Sequence, residues 1–144
     1  MTQSPPDFSI LGLDHVVIRV RDLDAMVAFY RDQLGCPVER VVADFGLVQL
    51  RAGSALVDLV DAAGRIGRDG GAPPGAGGGN MDHLCLRIEP FEADALAARL
   101  ATAGIDFEPP ARRYGADGFG QSIYLRDPEG NRIELKGPPE TEPS

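Results

Sequence analysis

One eight-residue segment occurs twice in this chain, and that repetition limits the possible folds more than any single motif does. Leu13-Asp14-His15-Val16-Val17-Ile18-Arg19-Val20 returns as Met81-Asp82-His83-Leu84-Cys85-Leu86-Arg87-Ile88, with Asp, His and Arg in the same register and a spacing of 68 residues. At the other positions one apolar residue replaces another. The residues after each copy also match. Met26, Val27, Phe29, Tyr30 and Leu34 recur at helical spacing within residues 24–34, as do Ala95, Leu96 and Leu100 within 92–103. Asp22 or Asp24 suits the start of the first helix, and Gly35 and Gly104 stand where a left-handed residue ends each helix.

Beyond the first helix, residues 38–42, 47–50 and 55–60 read as short strands separated by turns at Gly46 and Gly53. Beyond the second, residues 107–113, 122–126 and 132–136 repeat the pattern, with Asp127-Pro128-Glu129-Gly130-Asn131 as a hairpin link. Each half is strand, helix, three strands, so the expected class is α+β with two tandem βαβββ modules. The expected boundaries are a single domain over 11–137, with module one at about 11–61 and module two at about 81–137. The intervening 62–80 holds eight glycines and two prolines and reads as a linker. Residues 1–10 and 138–144 read as tails.

Side chains alternate along a strand, so His15, Val17 and Arg19 share one face while Val16, Ile18 and Val20 share the other. The wholly apolar face must meet the helices. The same count sets His83, Cys85 and Arg87 opposite Leu84, Leu86 and Ile88, and sets Glu134 opposite Ile133 and Leu135. In the first half Val57-Asp58-Leu59 aligns with Ile133-Glu134-Leu135, which makes Asp58 the counterpart of Glu134. Two imidazoles with one or two carboxylates form a nitrogen and oxygen ligand set suited to a divalent metal: Fe, Mn, Co, Ni or Zn. The candidate ligands are His15, Asp58, His83 and Glu134, expected to meet in one cleft. Asp58, one methylene shorter than glutamate, either ligates directly or acts through water.

Composition narrows the partners. A net charge of −8 repels polyanions, which argues against nucleic acid and anionic membranes and leaves small molecules. The longest apolar run is far below the ~20 residues of a membrane span, and two cysteines are too few for a disulfide framework. A cytoplasmic setting is expected, with Cys85 a buried, inert thiol.

Leu13-Asp14-His15-Val16, Phe29-Tyr30 with Leu34-Gly35, Met81-Asp82-His83-Leu84 and the run Tyr124 to Leu135 resemble the vicinal oxygen chelate superfamily. That superfamily includes glyoxalase I, fosfomycin-modifying enzymes, extradiol dioxygenases and bleomycin-resistance proteins. The resemblance covers about residues 11–137. It implies a U-shaped, half-open mixed-sheet barrel with the helices outside, a metal held by the first and last strand of each module, and pairing of modules within one chain or across a homodimer. Glyoxalase-like members use a His, Glu, His, Glu set, from which Asp58 departs. Tyr124, ten residues before Glu134, stands where extradiol dioxygenases carry a tyrosine.

The expected activity is that of a metal-dependent lyase or dioxygenase. Its metal chelates adjacent oxygens of a small substrate and stabilises an enolate or oxyanion. Glu134 or Asp58 is the candidate base, with Tyr124 as a candidate proton donor. Arg19, Gln49 and Arg87 are weaker candidates for substrate contact, as is the glycine-rich stretch Tyr114 to Gln121. The alternatives are a metal-free protein that sequesters a drug, as bleomycin-resistance proteins do, and a regulatory dimer.

Overall fold

The computed structural model describes residues 5–64, 67 and 79–140. The first module runs β1 (His15–Val20), α1 (Leu23–Ala28), β2 (Val38–Val42), β3 (Leu47–Ala52) and β4 (Ala55–Asp61). The second runs β5 (Leu84–Arg87), α2 (Ala93–Thr102), β6 (Ala111–Gly115), β7 (Gly118–Arg126) and β8 (Arg132–Lys136). Each module makes its own four-stranded sheet, in the orders β1-β4-β3-β2 and β5-β8-β7-β6. The first and last strands pair parallel, and the remaining pairs are antiparallel. The α+β architecture of tandem βαβββ modules is therefore present. The two sheets stay separate among the described residues, no closed barrel forms, and β1 and β5 are both edge strands.

Local chemistry explains the element ends. The Asp22 carboxylate accepts from Ala25 N at 3.0 Å and so caps α1. The expected continuous helix over 24–34 is instead α1 followed by a π-helical turn, Phe29–Gln33, closed by Leu34 N donating to Phe29 O at 3.3 Å. Neighbours on a regular helix point ~100° apart. The wider turn lets consecutive Phe29 and Tyr30 both be buried.

In the second module the expected strand at 107 begins only at Ala111, because Pro109 and Pro110 have no N–H to give a ladder. Phe107 makes an isolated bridge to Leu125. The expected loop over 114–121 is a hairpin whose ladder runs to Tyr114↔Phe119 and Gly115↔Gly118. The expected linker, 62–80, lies mostly outside the described residues, as do parts of both expected tails.

Burial follows the two strand faces. Ile18, Val20, Val57 and Leu59 of the first sheet and Ile123, Leu125, Ile133 and Leu135 of the second join Met26, Phe29, Tyr30 and Leu100 in one core cluster. Each such side chain contributes ~1.5–3 kcal/mol on burial, so the modules are held together through their helix-side faces. The seam also carries polar ties. Tyr30 donates its phenol to Asp127 at 2.9 Å, and Glu129 accepts from the Arg21 and Asp22 amides at 2.7–2.9 Å.

Candidate functional site

Opposite the core, each sheet carries its histidine on the face turned away from the helices, exposed along the edge strand and buried at the carboxylates. His15 stands at the start of β1, its side chain 47 % exposed, and Val17 beside it is also exposed. On β4 the pairing Val17↔Asp58 sets the Asp58 carboxylate diagonally across from His15. Asp58 is buried, and Gln49 on β3, its direct partner, donates to both carboxylate oxygens at 3.1 and 3.2 Å. Gln49 therefore orients Asp58. The hydrogen bond that His15 donates to Asp14, and then the charge of Asp58, hold the imidazole's titration above its usual range.

The second half repeats this layout. Cys85↔Glu134 puts the buried Glu134 carboxylate diagonally across from His83, which lies 3.3 Å away from Nε2 to Oε1. Tyr124 pairs with Glu134 in the ladder, and its ring meets His83 edge-on at 5.4 Å. Burial and the Glu134 charge push the phenol up, so it stays protonated at neutral pH. Arg132 stacks on the same ring at 3.7 Å and bonds to Glu108 at 3.2 Å.

One detail occurs in both halves that the repeated Asp-His dipeptide hints at but does not specify. His15 Nδ1 contacts Asp14 Oδ1 at 2.7 Å, and His83 Nδ1 contacts Asp82 Oδ2 at 2.6 Å. An ionised carboxylate can only accept, so Nδ1 carries the hydrogen and a neutral ring presents the Nε2 lone pair. This is how carboxylates orient metal-bound histidines. The Nε2 of His83 then faces a second acceptor, Glu134 Oε1, and only a proton or a cation between them makes that contact favourable. Two cis ligands at bonds of ~2.1 Å stand ~3.0 Å apart, close to the 3.3 Å observed. The donor set fits a borderline divalent ion.

The four candidate ligands do not gather within one chain. Among the described residues no three His, Cys, Asp or Glu side chains come close enough to hold an ion. Instead of one cleft, the structure shows two separate pairs, His15 with Asp58 and His83 with Glu134. The cause lies in the core: both sheets turn their helix-side faces toward one shared interior, which keeps the two histidine faces apart.

The remaining candidates differ in their surroundings. Arg87 is engaged by Asp117 and, at 2.7 Å, by Glu89. Arg19 donates from Nε to Gly67 O at 3.2 Å. Cys85 is exposed rather than buried as expected, because β5 is an edge strand. Its thiol is nonetheless pushed up to about 11 by desolvation and the Glu134 carboxylate. Strand alternation sets Lys136 on the face of Glu134, though sequence reasoning gave it no role, and the same signal would have found Arg113, which it missed.

Comparison with known proteins gives a consistent picture. The family model described as the glyoxalase/bleomycin resistance protein/dioxygenase superfamily matches residues 12–135. The chain is 36 % identical over 129 residues to the glyoxalase domain-containing protein RDO1 of Mycosarcoma maydis, covering 88 % of this chain and 68 % of that one. It is 30 % identical over 129 residues to the virulence protein STM3117 of Salmonella typhimurium, covering 85 % and 81 %. The crystal structure of STM3117 superposes with a TM-score of 0.70 at 27 % identity, over 90 % of this chain and 98 % of that one. A shorter match, 40 % over 53 residues, links 37 % of this chain to 36 % of the metallothiol transferase FosB of Shouchella clausii.

Proposed function

The chain belongs to the glyoxalase/bleomycin resistance protein/dioxygenase superfamily, and from that premise we propose that it is a divalent-metal-dependent enzyme acting on a small molecule with two adjacent oxygens. The observation that carries this reading is the duplicated Asp–His pair, each aspartate fixing Nδ1 and freeing Nε2. The name of one partial relative, a metallothiol transferase, points the same way.

The site is complete only in a homodimer, where the β1 edge of one copy lies beside the β5 edge of the next. His15 and Asp58 of one chain then meet the partner's His83 and Glu134. Both strands have a free edge for such pairing. The approach to β1 is apolar and exposed at Phe8, Ile10, Leu11 and Leu13, a surface suited to burial against a second copy.

Held by these residues, a divalent ion would supply Lewis acidity toward the substrate oxygens. The protein's own groups do the rest. Gln49 keeps both Asp58 oxygens directed, Asp14 and Asp82 keep the imidazoles turned, and Glu134 or Asp58 takes up a proton from the substrate. Tyr124, protonated and at the edge of the His83 ring, would return a proton to the substrate.

Elemental analysis of protein purified without chelator tests this. About one equivalent of Fe, Mn, Co, Ni or Zn per chain is expected, falling below about a tenth in His83→Ala. Wild-type protein below about a tenth of an equivalent, not restored by adding those ions, would reject the reading.

A further inference from the structure

The two edge strands are covered unequally on their helix-side faces. Ile18 and Val20 of β1 are fully buried, whereas their counterparts in the repeat, Leu86 in β5 and Ile88 at its end, are only half-buried. Beside β5 lies a cavity of about 560 Å³. Every residue from Leu84 to Ile88 lines it, with Leu34 and Cys36 beyond α1, Leu56 of β4 and Leu13 ahead of β1. Consecutive strand residues point to opposite faces, so a cavity that touches all of them in a row lies at the edge of the strand. It is the space that a neighbouring strand would take.

The backbone shows which groups face that space. Leu56 N donates to Asp14 O and Ala62 N to Val20 O, so the even-numbered residues of β1 face β4 and the odd-numbered ones face outward. Arg19, the last of these, is met by the Asn80 side-chain amide, which accepts from its N at 3.3 Å and donates to its O at 3.1 Å. His15 and Leu13 lie farther along the same edge. In the second sheet Ile88 N donates to Lys136 O, which turns Leu84 and Leu86 to β8 and leaves His83, Cys85 and Arg87 facing outward.

The sequence itself supplies an occupant. Residues 5–14 form no helix or strand, and Phe8, Ile10, Leu11 and Leu13 are 68–98 % exposed. Large apolar side chains crowded into so short an arm mark a surface that is covered by a partner. Six extended residues span about 20 Å, enough to run past Leu84 to Ile88. Leu13 lines the cavity of its own chain, yet the residues before it lead away into solvent, with Leu11 at 98 % exposure. A second copy related by a two-fold axis can receive them and give its own arm in return.

We propose that residues 8–13 of a second copy lie along β5 as an added antiparallel strand, each copy giving its arm to the other. The register rests on the dimeric site of the metal-dependent reading; the uncovered edge and the exposed arm do not. With His15 opposite the partner's His83, Leu13 falls opposite the partner's Cys85 and Leu11 opposite the partner's Arg87. Alternation then turns Ile10 and Phe8 to the helix side, where Leu86 and Ile88 are half-buried, and turns Leu13 to the histidine side beside Cys85, the ladder neighbour of Glu134. The arm of one copy thus becomes part of the wall of the partner's site.

Sedimentation equilibrium and amide hydrogen exchange on the metal-free full chain test this, against a variant lacking residues 2–11. The full chain is expected to dimerise, and the deletion to weaken the dimer at least about tenfold. The Cys85 and Arg87 amides, which face out of β5, should exchange slowly in the dimer and fast in the deletion variant. A dimer of unchanged strength without the arm overturns the proposal and leaves the dimeric site standing. A full chain that stays monomeric overturns both.

Leu13→Cys, a change at an exposed position, tests the register. Opposed residues whose amides face each other stand about 5.5 Å apart at Cα, within the range of a disulfide. Oxidation with diamide should therefore give a covalent dimer through the native Cys85, and adding Cys85→Ser should abolish it. Leu11→Cys, one pair farther along, should give at least about tenfold less. A bridge within one chain, or none between chains, overturns the exchange. Equal bridging from positions 11 and 13 overturns the register and with it the placement of Ile10.

Discussion

Removing the Tyr30 hydroxyl tests how the two modules are held. Tyr30 is fully buried in the shared core and donates to Asp127 at 2.9 Å, a tie between the first helix and the link that precedes β8. In Tyr30→Phe, Asp127 keeps three donors, the Glu129 and Asn131 amides at 2.9 Å and Asn131 Nδ2 at 2.8 Å. The carboxylate is not orphaned, so the loss belongs at the low end for a hydrogen bond to a charged group, about 1.5 kcal/mol. For a chain of this size that lowers Tm by about 3–6 °C.

The loss should also depend on pH. Desolvation raises the Asp127 carboxyl above its usual range, against the pull of Asn131, Tyr30 and Glu129. A raised folded value means that Asp127 favours folding most below its unfolded value, and that this advantage is lost as pH rises through the raised value. The phenol bond favours the ionised form, so its removal costs most at pH 7 and least near pH 4, where the group takes up its proton. Thermal melts of the metal-free protein at both pH values measure this. A loss below about 0.5 kcal/mol at pH 7, within the scatter of a surface substitution, or an equal loss at pH 7 and pH 4, refutes the assignment.

Asp82→Ala should weaken metal binding about tenfold, the lower end for a residue supporting a metal-bound histidine, because Asp82 is largely exposed. Competition with a chromophoric chelator measures it, and unchanged affinity would mean that the aspartate does not orient His83. Mixing His15→Ala with His83→Ala chains should restore about a quarter of the wild-type metal content, since one site in each mixed dimer is intact. No recovery after exchange would place the ligands within single chains. The Cys85 thiol, pushed up to about 11, should react with iodoacetamide about tenfold more slowly than an ordinary thiol at neutral pH, the scarcer thiolate being partly offset by its higher nucleophilicity. Equal rates in the native and the denatured chain would contradict that environment.

Much of this protein can be read from strand alternation. The duplicated Asp-His-x-x-x-Arg segment locates both first strands, and counting by two from Ile133 and Val57 puts Glu134 and Asp58 on the histidine faces. Alternation says which face a side chain takes, not which faces of two sheets meet. The separation of the two His–carboxylate pairs therefore becomes visible only when Ile18 and Leu59 are found in one core with Ile123 and Leu135. Local effects hid other features. Pro109 and Pro110 delay β6, and the glycines at 115, 118 and 120 read as a loop although they make room for Lys136. The carboxylate contacts to Nδ1 depend on side-chain torsions that no spacing rule encodes.

Duplication alone would suggest a pair of separable parts, each able to fold by itself. The single apolar interior shared by the two sheets forbids it. Cutting the chain between its halves would leave Ile123, Leu125, Ile133 and Leu135 facing water in one fragment and Ile18, Val20, Val57 and Leu59 in the other. Such fragments would persist only as a non-covalent pair, and the intact chain should melt in one transition instead of two.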